Sequence, residues 1–187
     1  AAKNFELDQM KGELTLRTGM RTWRKWLALP PSPAPVSVSQ ALSLTAAQQV
    51  VLNDLLERGH ADLRPQLLFG VTGSGKTEVY LQHLAHVLQG SADGQVFVLV
   101  PEINLTPQFA ARLNARFGTD AVVTLHSGLN ESTRLMNWWR AASGQARVIL
   151  GTRLSVLAML PNLQAIVVDE EHDSSYRQQE GVRYSAR

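Results

Sequence analysis

From residue 66 onward the chain alternates short continuous apolar runs with stretches in which apolar positions return every three or four residues. Five runs, 66–71, 96–100, 121–125, 147–150 and 165–168, have the length and the bounding turn residues of buried strands. The helical stretches between them cover 75–88, 107–117 and 130–142. One further helix is predicted before the first run, capped by Thr45 and carrying Ala47, Val51 and Leu55 on one face. Strand and helix in alternation predict an α/β fold, a parallel sheet sandwiched by helices. Ligands of such sheets bind at the carboxyl ends of the strands, so the residues that follow each run carry the candidate chemistry.

Composition narrows the class. At 187 residues, with 44% hydrophobic and 18% charged, the chain can bury a sizeable core, which excludes collagen, a lone coiled coil and wholesale disorder. No apolar run approaches the length of a membrane span. Cysteine is absent, so disulfides and thiolate chemistry are excluded, and the cytosol is the expected compartment. The chain opens Ala1-Ala2 without a basic segment and apolar core of the secretory type, and it is expected to be a piece of a longer protein. Four prolines between Pro30 and Pro35 predict an extended spacer over 31–41. That spacer separates residues 1–30, an N-terminal arm or the remnant of an upstream DNA-binding region, from a lobe over 42–187. The arm holds six Lys/Arg against three Asp/Glu. Lys11, Arg17, Arg21, Arg24 and Lys25 with Trp23 and Trp26 suit single-strand binding, and equally a solvated basic face with both Trp packed inward.

After the first run comes Gly70-Val71-Thr72-Gly73-Ser74-Gly75-Lys76-Thr77, a complete G-x-x-x-x-G-K-T between a predicted strand and a predicted helix. Glycines let the loop wrap so that successive N–H groups converge on a phosphate, and the helix dipole adds positive potential there. Lys76 is expected on the β- and γ-phosphates and the Thr77 hydroxyl on Mg²⁺. The run ending at Val168 delivers Asp169 and Glu170 to the same sheet edge. Asp169 is expected to hold the Mg²⁺, directly or through water, and Glu170 to take the proton of the water attacking the γ-phosphate, which implies hydrolysis. Three other features carry less. His83 and His86 lack a third ligand in sequence reach, Ser127 lacks an acid–His pair, and at least one of Trp138 and Trp139 is expected in the core.

An acidic strand end that continues to His172, as Asp169-Glu170-Glu171-His172, marks the superfamily 2 helicases. Within them the chain closely resembles the bacterial primosomal replication-restart helicases, the PriA family. The resemblance rests on 70–80, on Val100-Pro101-Glu102-Ile103-Asn104-Leu105-Thr106-Pro107-Gln108, on Leu125-His126-Ser127-Gly128-Leu129, on Gly151-Thr152-Arg153 and on 169–176, and it covers about 42–187. It implies a P-loop NTPase of the RecA-like kind, here one helicase lobe, with ATP and Mg²⁺ as cofactors.

Further roles come from the resemblance alone. Gln48 matches the glutamine that reads adenine, alongside Gly70, Thr72, Gly73, Ser74, Gly75, Lys76 and Thr77 on the phosphates. Pro101, Asn104, Thr106, Thr152 and Arg153 match loops on the backbone of single-stranded DNA. His172 matches the group that senses the γ-phosphate, and Tyr176 and Tyr184 match an aromatic-rich loop that stacks on bases, although Val182 stands where that loop often has Trp. The implied whole is a bacterial cytoplasmic 3′-to-5′ motor on single-stranded and forked DNA that helps reload replication. Its implied partners are a second lobe carrying an arginine finger, primosome proteins and single-strand-binding proteins. Rival readings are another superfamily 2 DNA translocase and a nucleotide-dependent docking module for replication proteins.

Overall fold

The computed structural model describes residues 5–8, 13–16, 32–39, 41–58, 64–101, 107–177 and 184–186. Its contacts divide the chain into two units, Ala1–Pro31 and Ser32–Arg187. In the first, β1 (Phe5–Asp8) and β2 (Glu13–Leu16) pair antiparallel with Phe5 opposite Leu16. Lys11, Arg17, Arg21, Trp23, Arg24, Lys25 and Trp26 lie outside the described residues.

In the second unit, four of the five apolar runs become strands of one parallel sheet: β3 (Gln95–Leu99), β4 (Val122–Leu125), β5 (Val148–Gly151) and β6 (Leu163–Val168), in the order β4-β5-β3-β6. Val96 lies opposite both Val148 and Ala165, and Val122 opposite Val148. Helices α1 (Ala46–Arg58), α2 (Lys76–Gln89), α3 (Pro107–Phe117) and α4 (Glu131–Ala142) occupy the intervening chain. Asn130 caps α4, its side chain accepting the Thr133 N–H at 2.9 Å. Alternate strand residues feed two cores. Val96, Val98, Val148 and Leu150 meet Leu81, Leu84 and Leu88 of α2 and Leu113 and Phe117 of α3. On the other face Phe97, Leu99, Val123 and Ile149 meet Ala141 of α4, Tyr176 and Ala186, with Trp138 packed against them. No helix among the described residues is long and apolar enough to cross a membrane.

Buried polar groups pin the sheet to its surroundings. Arg147 is buried, and its guanidinium donates to the carbonyls of Gly94 (2.6 Å), Leu88 (3.1 Å) and Ser91 (2.6 Å). It thereby satisfies acceptors at the end of α2, where a helix leaves its last carbonyls without partners. Gln95 donates to Ala141 and Ala146 carbonyls and accepts from the Asn162 N–H, tying the start of β3 to the end of α4.

Two expectations are corrected. Residues 66–71 form no strand; Leu67, Phe69 and Val71 are 83%, 91% and 77% exposed. An apolar run becomes a strand only where a neighbour completes its ladder, and β6 pairs with β3 alone among the described residues. The proline-rich stretch is also not a free spacer over its described part. Ala34 N donates to Gln145 O, while Ser37 N and Ser39 N donate to the last carbonyls of α3, at Phe117 and Arg116. Ala34 is buried, and Val36 and Val38 pack on the α2–α3 core. The signal is a period-two alternation of apolar residues after the prolines.

Candidate nucleotide-binding site

The loop before α2 turns twice through left-handed backbone, at Gly73 (φ 81°) and at Gly75 (φ 82°), the residue that precedes the helix. The positive φ at Gly75 calls for glycine, and a Cβ there would also push aside the end of the Gln48 side chain. The loop folds over Lys76, whose Nζ donates to the carbonyls of Gly70 (2.7 Å) and Val71 (3.0 Å). Gln48 arrives from α1. Its Oε1 accepts the Thr45 N–H (2.8 Å) while its own N–H donates to Thr45 Oγ1 (3.3 Å), a reciprocal box at the helix start. Its Nε2 donates to Ser74 O at 2.8 Å. Gln48 is thus a fastener between α1 and the loop; the T-x-x-Q spacing signals the box at the helix start but not the bond to Ser74.

The acids come from the end of β6. Asp169 N extends the ladder to Leu99 O (2.9 Å), so the residue leaves the sheet in register. Its Oδ1 accepts the Glu170 N–H and its Oδ2 the Tyr80 hydroxyl, both at 3.0 Å. Glu170 has φ 50°, in the left-handed region where a side chain costs energy. Asp173 N closes this turn onto Glu170 O. His172 is exposed and sits with Nε2 3.6 Å from Glu170 Oε2.

Gln48, Thr72, Gly73, Gly75, Lys76 and Thr77 line one cavity of about 440 Å³ together with Asp169 and Glu170. Loop and acids therefore face each other across a space of ligand size. Gly70 and Ser74 belong to the loop but not to the lining, their carbonyls being used by Lys76 and Gln48. The same wall includes Glu78 and Arg112, which the sequence reading passed over. Glu78 is buried, and its carboxylate accepts from Leu42 N, Gln82, Arg112 and Arg116. Arg112 and Arg116 are one helical turn apart on α3, a visible spacing, but nothing local names their partner. Burial pushes the Tyr80 hydroxyl above its ordinary range, and the Asp169 charge adds to this, so it stays a donor.

The residues matched to DNA contacts fare differently. Asn104 and Thr106 lie outside the described residues. Pro101 is buried, and Thr152 is fully buried with its N–H on Leu125 O. Tyr176 is fully buried, its hydroxyl placed on Leu99 O (3.1 Å) and Asp169 O. These three present no side chain to a DNA strand. Pro101 and Thr152 closely follow the central strands β3 and β5, and Tyr176, beyond the edge strand β6, is drawn back onto the sheet by its hydroxyl. Tyr176 is a peg holding the loop after β6 to the sheet. Arg153 is half-buried and donates to the carbonyls of Ser175 and Arg177, both at 3.2 Å, on either side of that peg. Tyr184 is half-buried against the second core.

The chain is 44% identical over 175 residues to the replication restart protein PriA of Haemophilus influenzae, covering 94% of this chain and 23% of that protein. It is 41% identical over 150 residues to the PriA of Bacillus subtilis, covering 80% and 18%, and 46% over 145 residues to that of Synechocystis, covering 76% and 17%. The chain spans about a fifth of the length of these curated relatives. The solved UvsW helicase of bacteriophage T4 has the same fold, with TM-score 0.54 and 18% identity over 84% of this chain and 52% of that one. The DEAD/DEAH box helicase family model matches residues 45–187, the stretch that contains both the phosphate loop and the acids. By that match the chain belongs to the DEAD/DEAH box helicase family, which implies nucleotide and nucleic-acid binding.

Proposed function

We propose that the chain is the ATP-binding motor lobe of a bacterial replication-restart helicase, a DNA-stimulated ATPase that moves 3′ to 5′ along single-stranded and forked DNA. The observation that carries this is the single cavity in which Lys76 and Thr77 face Asp169 and Glu170. The identity to PriA proteins supports the choice of pathway. The N–H groups of the loop and of the first turn of α2 receive the triphosphate, and Lys76 exchanges the Gly70 and Val71 carbonyls for phosphate oxygens. The hydroxyl of Thr77 and the carboxylate of Asp169 are hard oxygen donors, which suits Mg²⁺ shared with phosphate oxygens and water. Bound there, the ion neutralises charge that develops on the phosphates. Glu170 accepts the proton of the attacking water. His172, beside Glu170, senses the γ-phosphate, and Gln48 reads the adenine edge. Asn104, Thr106, Arg153 and Tyr184 belong to the DNA side. A second lobe supplies the arginine finger, worth about 10³ to 10⁵ in rate, so this lobe alone hydrolyses ATP slowly. Primosome and single-strand-binding proteins are its partners in the bacterial cytoplasm.

Titration with a fluorescent ATP analogue, with and without Mg²⁺ and short single-stranded DNA, tests the proposal. Binding is expected to strengthen with Mg²⁺ and to weaken about 10- to 100-fold in Lys76→Ala, the loss of a charge-assisted contact. Equal affinity in Lys76→Ala would remove the proposal's basis. Rapid DNA-stimulated turnover by residues 1–187 alone would refute the need for a second lobe.

A further inference from the structure

Thr77 and Asp169 lie on separate elements, the start of α2 and the end of β6, yet one magnesium ion is to be held by both, directly or through its waters, so the spacing of the two side chains has to be kept. One side chain joins the two elements at that point. Tyr80 follows Thr77 by three residues and so shares its helix face. Its ring is buried in the core with Leu84 and Val98, and its hydroxyl donates to Asp169 Oδ2 at 3.0 Å. The rest of Asp169 is already fixed: its N–H by Leu99 O, its carbonyl by the Tyr176 hydroxyl, its Oδ1 by the Glu170 N–H. The carboxylate is thus held at both oxygens, by its own turn at Oδ1 and by the Tyr80 hydroxyl at Oδ2, and the second of these bonds ties it to α2.

We propose that Tyr80 is a positioning residue for the Mg²⁺ site, holding the Asp169 carboxylate to the helix turn that carries Thr77. The inference rests on the nucleotide-site reading above. It assigns to Tyr80 no contact with nucleotide and no part in proton transfer. Its effect is confined to how readily the ion is accepted.

The test is Tyr80→Phe in the 187-residue chain, which keeps the buried ring and deletes the hydroxyl. Binding of a fluorescent ATP analogue is measured in EDTA and across a Mg²⁺ series. Affinity in EDTA is expected to stay within about twofold, while the Mg²⁺ concentration giving half of the enhancement rises about tenfold, the usual scale for losing a partner that orients a metal ligand. Combining Tyr80→Phe with Asp169→Asn is expected to do no more than Asp169→Asn alone, because the hydroxyl acts through that carboxylate. A Mg²⁺ curve that does not move, an equal loss with and without Mg²⁺, or full additivity in the double variant each overturns the proposal. Absence of any Mg²⁺ enhancement in the unsubstituted chain is a different failure, that of the nucleotide-site reading, and the inference falls with it.

Discussion

Glu170→Gln is expected to leave ATP bound and to slow its hydrolysis by about 10²- to 10⁴-fold, the range lost when a general base is removed. Glutamine keeps the size and the turn, and it cannot take a proton from water. Glu170 also occupies left-handed backbone at φ 50°. For a residue with a Cβ that conformation costs about 1 to 2 kcal/mol, and a surface turn has no need of it for packing. The acid is retained there against the preference of its own backbone, which is how strain collects at working sites. A second variant separates the two effects. Glu170→Gly is expected to lose turnover as fully, while stabilising the fold by up to about 1 kcal/mol, since glycine accepts positive φ. Single-turnover hydrolysis and denaturant unfolding on the same three proteins are the measurements. Retained turnover in Glu170→Gln would remove the general-base role.

The largest loss of stability is expected at Glu78. Its carboxylate accepts Leu42 N at 3.2 Å, Gln82 at 3.1 Å, Arg116 at 3.0 Å and Arg112 at 2.9 Å. The Arg116 side chain is 7% exposed and that of Glu78 8%, so Glu78→Ala leaves a guanidinium in the core without its counter-charge. Breaking such a pair costs about 3 to 5 kcal/mol, against a total stability of about 5 to 15 kcal/mol for a domain. Replacing the pair together, as Glu78→Leu with Arg116→Met, is expected to recover most of that loss. The pair also sets an acid limit. Burial alone would raise the Glu78 pKa, but Gln82, Arg112 and Arg116 outweigh it and hold it below the ordinary 4.5. A depressed carboxylate pKa contributes stability that is complete above 4.5 and disappears as pH falls through the folded-state value. The melting temperature should therefore drop on acidification below that point, and less so in Glu78→Gln. An identical acid profile in the two proteins would show that Glu78 does not govern it.

What could be read in advance was what depends on neighbours in sequence. The phosphate loop is legible because its glycines, lysine and threonine act within eight consecutive residues. The four helices are legible from periodicity, and Asp169-Glu170 from an apolar run that stops in acid. Tyr176 shows the opposite case. An aromatic residue beside a polar loop reads equally as a stacking surface or a core peg, and only the carbonyls of Leu99 and Asp169, brought close by the sheet, decide between them. The burial of the Thr152 and Pro101 side chains is illegible for the same reason, being a property of what passes overhead. The hub at Glu78 gathers groups from α2, from α3 and from the chain entering α1, and no single stretch contains it.

The outer side of β6 has one further consequence. Along Leu163–Val168 the main chain pairs on one side only among the described residues, with Ile166 56% exposed. A strand offering unpaired amides beside greasy side chains is a template on which another chain can zip. Kept concentrated in isolation, the lobe is therefore prone to self-adhesion at this rim. Light scattering should report the resulting growth, and a lysine at Gln164, blunting the rim with charge, should suppress it.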